Sequence, residues 1–380
     1  MTQLRRPFVQ TRRDAWIEIN LANIEHNIKI LKSFISPKTK FLAVVKADAY
    51  GHGSTMAAPT LLASGVDALG VASVDEGLQL REAGINAPIL VLGAIPGWAF
   101  TSAVENDLQL SIFTYEHVQA CINAYNKLKK KPTVHIKVDT GMHRIGIPYE
   151  KANEFINAVL KIDAINLEGV FSHLACAEDV NVTAKQKLAW ESVVKNIKNP
   201  DITLHLANTA GLTGYKDLQY DMIRSGIGIY GLLPDFPENV KTKPTLKQVM
   251  SLRGRIVHIQ DLPENSGISY GYSYITGNDS AKIATIPIGY ADGVPRALSN
   301  KIYGLINGEK VVQVGNITMD QMMFDISNVD NVNVGDVITL LGYDGSSFIS
   351  IDSWAEKLNT INYEITCRLK VRLPRIYTRN

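Results

Sequence analysis

From about Leu21 to about residue 230 the chain alternates short apolar runs, bounded by turn residues, with longer segments of helical period. Leu21, Ile24, Ile28 and Leu31 recur at helix spacing, FLAVV (41–45) follows as a continuous run, and Ser73 with Glu76 forms a capping box that predicts a helix before Gly84. Further strand-like runs are ALGV (68–71), PILVL (88–92), LQLSIF (108–113), TVHIKVD (133–139), LEGVFSH (167–173), TLHLAN (203–208) and MIRSGIGIYG (222–231); with FLAVV they make eight. A strand covered by helices on its faces has no polar side, so continuous apolar strands between amphipathic helices imply a parallel sheet. Eight such units in roughly 200 residues suit a (β/α)8 TIM-type barrel. A doubly wound open sheet gives a similar pattern, and the count alone leaves both open.

After about Lys241 the texture changes. RGRIVHIQ, AKIATIPIGY, KIYGLINGEKVVQVG, MMFDI and DVITLLG are short, β-rich and punctuated by turns, and Asn307-Gly308 between two such runs is a strong hairpin signal. One helix follows, opened by a second capping box at Ser353 and Glu356. The expected division is a barrel over 14–240 and a mostly antiparallel β domain over 241–380, with residues 1–13 a candidate addition to the latter.

At 380 residues and 46% hydrophobic content the chain exceeds the size at which one core stops growing, which agrees with two domains. Net charge is +2, and the longest basic run, Lys129 to Lys131, closes a helix-like segment where lysines favour the dipole. No basic face collects, so nucleic acid is not an expected partner. Cys121, Cys176 and Cys367 are an odd set with no C-x-x-C, which argues against a disulfide framework and a zinc site; no metal is expected. The first sixteen residues carry four arginines but no apolar signal core, and no apolar run reaches the ~18 residues that span a bilayer. A soluble, cytoplasmic protein that does not engage membranes is expected.

In a parallel barrel, chemistry gathers at the C-terminal ends of the strands. Lys46 follows FLAVV, Arg144 follows HIKVD, His173 follows GVFS, Asn208 and Thr209 follow LHLA, and Arg224 lies in MIRSG. Any one of these alone reads as a solvated or internally satisfied residue; their shared position at strand ends argues for a site. A lysine normally titrates near 10.4, and burial at the end of FLAVV would lower that value and leave an amine able to form Schiff bases. Tyr50 and the glycines at 51 and 53 suit close approach to a ligand, and Gly226 and Gly228 leave backbone N–H groups near the last strand's end, where barrels commonly bind phosphate. A Schiff-base lysine with a phosphate cradle describes a site for pyridoxal 5'-phosphate.

The blocks AVVKADAYGHG, KVDTGMHRIG, HLANTAG, MIRSGIGIYG, ISYGYSY, GNITMDQ and NTINYE...CRLKVRLPRIY resemble the signature blocks of alanine racemases, in that family's order, from about Asp14 to Tyr377. The resemblance implies a pyridoxal-phosphate barrel joined to a C-terminal β domain, in a head-to-tail homodimer that racemises alanine and supplies D-alanine for peptidoglycan. It implies that Lys46 holds the cofactor covalently and acts as one base, and that Tyr270 from the partner chain is the other. Two bases on opposite faces are what racemisation demands, because one base would return the proton to the face it left.

The same resemblance places Arg224 at the pyridine nitrogen, where a permanently protonated donor keeps that nitrogen unprotonated; a salt bridge to Asp221 is the bland reading of the same arginine. Phosphate contacts fall to Tyr50, Thr209, the backbone of Gly226 and Ile227, and Tyr363, with Asn208 beside them. Substrate carboxylate binding falls to Arg144 and the backbone near Met319, next to Asp320. His173 resembles the histidine that orients the tyrosine base, with backbone satisfaction of a buried histidine as the other reading. Lys137 corresponds to a lysine that is carbamylated in parts of the family. Asp48, His143, Thr209 and Thr318 stand where the family often has asparagine, glycine, serine and cysteine, and Thr318 is placed on the access side. Tyr363 keeps the bulky residue that serine-preferring relatives lack, which favours alanine. A fold-related pyridoxal-phosphate amino-acid decarboxylase would show a consecutive-glycine phosphate loop and a catalytic cysteine motif; a non-enzymatic cofactor-binding protein would lack the β domain and Tyr270.

Overall fold

The computed structural model describes residues 13–238 and 240–379. Its described residues form two compact units, Leu21–Lys247 and a second built from residues 13–20 together with 248–379.

The first unit is a (β/α)8 barrel. Its parallel strands are Lys40–Val44, Ala68–Val71, Ile89–Val91, Leu108–Ile112, Thr133–Asp139, Asn166–Phe171, Thr203–His205 and Met222–Ser225, and each of the first six pairs with the next. The eighth pairs with the first, Met222 opposite Lys40. Backbone bonds from Asp221 N to Leu204 O and from Arg224 N to Ala207 O link the eighth strand to the seventh, so the sheet curls round on itself instead of ending in two free edges. Ala68–Val71 and Ile89–Val91 are buried at every position, as strands covered on both faces must be. Helix Leu21–Lys32 buries Leu21, Ile24, Ile28 and Leu31 on one stripe. Helix Tyr115–Leu128 stops earlier than the lysine run suggests: Lys129 takes a left-handed φ of 55° as the cap, while Lys130 and Lys131 leave the helix and pair with Asp107 and Asp163.

The second unit is an antiparallel sheet in the order His258–Leu262, Ala281–Ile286, Met322–Asp325, Glu309–Val314, Tyr303–Ile306, Val337–Asp344, Met250–Arg255 and Ala15–Asn20, with Arg375–Thr378 added in parallel at the end. The hairpin between Tyr303–Ile306 and Glu309–Val314 turns at Asn307 (φ 53°) and Gly308 (φ 81°), both left-handed, as a two-residue turn matched to strand twist requires.

Three details differ from the sequence reading. Ala15–Asn20 belongs to this sheet, not the barrel: its alternation of buried and half-buried residues fits a strand with two different faces. Residues up to Lys247 stay with the barrel, where Asn27 exchanges side-chain bonds with the Lys247 backbone at 2.8 Å in both directions. The helix expected to open on Ser353 and Glu356 spans Asp352–Leu358, with Ser350 Oγ accepting from Asp352 N at 3.0 Å, and a further helix, Asn362–Arg368, follows it. Residues 1–12, including the other N-terminal arginines, lie outside the described residues.

Candidate active site

Lys46 leaves the first barrel strand directly into an unusual turn. Ala47, Asp48, Ala49 and Tyr50 all have φ between 52° and 55°, a left-handed turn made without glycine. That conformation costs about 1–2 kcal/mol per residue with a Cβ, so it persists only because its surroundings over-determine it. Glu76 Oε1 accepts from Ala47 N, and Asp48 Oδ1 accepts from Ser54 N, both at 2.7 Å. Gly51 N bonds back to Ala47 O, and Gly53 N to Asp48 O, each at 2.9 Å. Asp48 therefore serves as an acceptor, which the family's asparagine can also do through its carbonyl oxygen. Lys46 is half-buried, less enclosed than the expected burial at the end of FLAVV.

The turn delivers Tyr50 inward. Its ring lies 5.1 Å from that of Tyr230, whose hydroxyl donates to Val44 O at 3.0 Å, and its own hydroxyl packs over Gly226 so closely that a Cβ there would sit 2.9 Å from Tyr50 Cζ and closer still to the oxygen. Thr209 Oγ1 accepts from Gly226 N at 3.2 Å and lies 3.0 Å from Ser225 Oγ. At Gly228 an added Cβ would meet Thr209 Cγ2 at 2.7 Å. Asn208 caps helix Thr209–Gly214 by accepting from Gly211 N at 2.9 Å. Buried Ile227 opens the short turn Ile227–Tyr230. Tyr50, Thr209 and Gly226, far apart in sequence, thus meet, with Asn208 and Ile227 their chain neighbours, and a Cβ at Gly226 or Gly228 would overlap them; such a set of hydroxyls and amides suits phosphate oxygens.

Arg224, 3% exposed in the eighth strand, is held by a fan of acceptors. Nη1 donates to His205 Nδ1 at 2.9 Å; Nη2 faces Ser172 O at 2.6 Å, Leu206 O at 3.0 Å and His173 Nδ1 at 3.2 Å. Asp221 plays no part in this, because its carboxylate accepts from Leu204 N at 2.8 Å. Burial pulls the guanidinium down to about 9, still cationic at neutral pH. His205 Nε2 lies 3.0 Å from His135 Nδ1. Burial, then the Arg224 charge, holds His173 and His205 well below the usual histidine range and brings His135 to about 3, so all three rings are neutral. Sequence reasoning shows His135 and His205 only as parts of strands; the signal that could have found them is a histidine inside an otherwise apolar run, where a buried polar group needs a partner.

Lys137, 4% exposed on the fifth strand, puts its ammonium 4.5 Å from the centre of the Phe171 ring. Burial, then the charges of Arg224 and Arg144, lowers it to about 7. Arg144 is exposed, on a loop shaped by Asp139 Oδ1, which accepts from the amides of Gly141, Met142 and His143 at 3.0 Å each. His143 has φ 52°, a position that explains why glycine is common there in the family the sequence resembles, and its ring bonds Asp139 Oδ2 at 3.1 Å.

Tyr270, Met319, Asp320 and Tyr363 lie in the β unit. Tyr270 is 75% exposed on a turn where Ser269, Gly271 and Tyr272 all have positive φ, fastened by Asn316 Nδ2 donating to Tyr270 O at 2.7 Å. Met319 is exposed, and its carbonyl accepts from Ala291 N at 3.0 Å. Thr318 O accepts from Tyr290 N at 2.9 Å, and Thr318 Oγ1 bonds Gln321 O at 2.9 Å. Asp320 accepts from Arg372 Nη2 at 2.6 Å, and buried Asp292 takes both Arg13, through Nη2 at 2.7 Å, and Arg372 Nε at 3.5 Å. Half-buried Tyr363 lies on helix Asn362–Arg368.

The set fits pyridoxal phosphate on three counts: an amine at a strand end, a cradle that a Cβ at Gly226 would fill, and a charged donor set in neutral surroundings.

The family model described as alanine racemase, N-terminal domain, matches residues 19–234, and that for the C-terminal domain matches residues 249–377. An alanine racemase of Nostoc sp. is 43% identical over 378 residues, covering 95% of each chain. Among solved structures, an alanine racemase of Clostridium difficile 630 is 37% identical with a TM-score of 0.90, covering 96% of each chain. One from Bacillus anthracis with bound L-Ala-P is 36% identical with a TM-score of 0.89, covering 99% of this chain and 97% of that one.

Proposed function

The chain belongs to the alanine racemase family, and from that premise we propose how its residues interconvert L-alanine and D-alanine. The enzyme is a pyridoxal-phosphate-dependent isomerase. Bound at Lys46, the cofactor supplies the electron sink that makes the alanine Cα–H acidic.

Lys46 holds the cofactor and takes or returns the Cα proton on one face; Tyr270 does so on the other. Tyr50, Asn208, Thr209, Tyr363 and the amides of Gly226 and Ile227 bind the phosphate. Arg224 donates to the pyridine nitrogen; three neutral histidines and backbone carbonyls around it leave no carboxylate to protonate that nitrogen, which limits the sink and favours prompt return of the proton to Cα. Arg144 and the backbone at Met319 bind the substrate carboxylate, with Asp320 fixing the Met319 loop through Arg372. His173 orients the tyrosine base. Lys137, buried beside the charges of Arg224 and Arg144, adds through its neutral amine to carbon dioxide and releases a proton, giving a carbamate that reverses its sign and holds Arg144.

Tyr270 serves the barrel of a second copy in a homodimer with shared sites; its high exposure on a positive-φ turn supports a residue presented outward to a neighbour. No described helix is long and apolar enough to cross a membrane. The proposed place of action is the cytoplasm, providing D-alanine for peptidoglycan. The test is turnover of alanine in deuterium oxide: solvent label at Cα together with loss of optical activity is expected, and release of carbon dioxide would indicate decarboxylation instead.

A further inference from the structure

We propose that Glu76 is the positioning residue for Lys46: its carboxylate fixes the left-handed turn on which the lysine is mounted. This rests on reading Lys46 as the cofactor's attachment point. Glu76 sits in the first turn of helix Val74–Glu82, where a capping box would send its side chain back to the Ser73 amide. It goes elsewhere. Oε2 accepts from Ala72 N and Oε1 from Ala47 N, both at 2.7 Å, so one carboxylate joins the end of the second barrel strand to the residue after Lys46. The helix does not need Glu76's carboxylate for its cap, because Ser73 Oγ accepts from Glu76 N at 3.4 Å.

The bonds inside the turn set its shape, and Asp48 with Ser54 ties its far end to the next helix. Glu76 ties the near end, next to the lysine. Ala72 is itself immobilised: its carbonyl packs so closely on Gly93 that a Cβ there would overlap it, and Leu92 N bonds Val71 O at 2.8 Å. The clamp thus references Lys46 to the barrel framework. An ionised carboxylate offers two acceptors to two amides; a glutamine offers one and turns its NH2 toward the other amide.

The test compares wild type with Glu76→Ala, Glu76→Gln and Ser73→Ala, all checked for fold by circular dichroism. Pyridoxal phosphate is titrated into each apoprotein, the pH midpoint of the bound cofactor's visible band is recorded, and kcat and KM are separated. Because a displacement near 1 Å can lower a rate by about 10²-fold, Glu76→Ala is expected to lose roughly 10–100-fold in kcat, with at least ~10-fold weaker cofactor binding and a shifted band midpoint. Glu76→Gln should fall between wild type and Glu76→Ala. Ser73→Ala should lower the melting temperature yet leave cofactor affinity and the band unchanged. If Glu76→Ala behaves like Ser73→Ala, or like wild type, the clamp is wrong. Should Glu76→Ala not fold, a Glu76→Gln protein with wild-type cofactor affinity and midpoint overturns it equally. Borohydride reduction and peptide mapping of the wild type separate the two levels: label on Lys46 upholds the underlying reading whatever the variants do, and label on another lysine removes it.

Discussion

The Arg224 guanidinium donates through Nη1 to His205 Nδ1 at 2.9 Å, which leaves His205 its proton on Nε2, aimed at His135 Nδ1 3.0 Å away. Because arginine cannot accept, the direction of the whole relay is set by its first member. His173, whose Nδ1 faces Nη2, is fixed in the same tautomer. The cation thus keeps its charge while its neighbours stay neutral.

The relay makes stability depend on pH. His135, His173 and His205 all have folded values below the ordinary 6.5, so between the folded and unfolded values the unfolded chain binds more protons and stability rises with pH. Their contribution is complete above about pH 6.5 and is lost as pH falls, each ring adding up to about 1.4 kcal/mol per pH unit. Melting temperatures should decline from about pH 6.5 to 5 by more than in a His135→Phe, His205→Phe variant that still folds. A flat profile contradicts the neutral relay.

Lys137 brings an amine near pH 7 into a dry pocket, where the neutral form is available to carbon dioxide. Carbon-13 NMR in labelled bicarbonate should show a carbamate resonance at neutral to alkaline pH that fades well below pH 7 and is missing in Lys137→Ala. Its absence from wild type at every pH leaves Lys137 an unmodified amine.

Gly226 marks the limit of space in the cradle. Gly226→Ala forces Tyr50, wedged against Tyr230, to move. Overpacking of this kind costs about 1–3 kcal/mol, so cofactor affinity should fall by about tenfold or more. Gly97→Ala, whose added Cβ meets nothing within 4 Å, should leave it unchanged. Equal affinities in both variants contradict the cradle.

The sequence makes most of the barrel legible because most positions of its eight strands are buried, whichever face they point to, and so read as apolar runs. Lys46, Asn208, Thr209 and Arg224 are visible as polar residues where such runs stop. What stays hidden depends on contacts distant in sequence. Ala15–Asn20 pairs with strands more than 200 residues away, and nothing local says so. Glu76 looks like a helix cap until Ala47 is seen beside it. The turn at Ala47–Tyr50 is held left-handed by its neighbours against the preference of its own residues, and Lys46 beside it is half-buried. His135 and His205 look like strand filler because a strand pattern does not reveal which interior residues meet.

Tyr270 and Lys46 should fail differently. Removing a positioned base lowers a rate by about 10²–10⁴-fold. With Tyr270 serving L-alanine and Lys46 serving D-alanine, Tyr270→Phe should slow Cα exchange of L-alanine far more than that of D-alanine, followed by NMR in deuterium oxide. Equal losses for both enantiomers contradict the division of labour.

Mixing two inactive variants tests the shared two-base site most directly. In the shared-site homodimer proposed above, Lys46→Ala and Tyr270→Phe chains, unfolded together and reassembled, give heterodimers in which one site carries both defects and the other carries neither. Random pairing then restores about a quarter of wild-type racemisation, as the statistics of a two-fold dimer require. Recovery near that fraction is the predicted result. If reassembled mixtures contain heterodimers yet remain as inactive as their parents, each chain supplies both bases to its own site, and the two subunits share no active site.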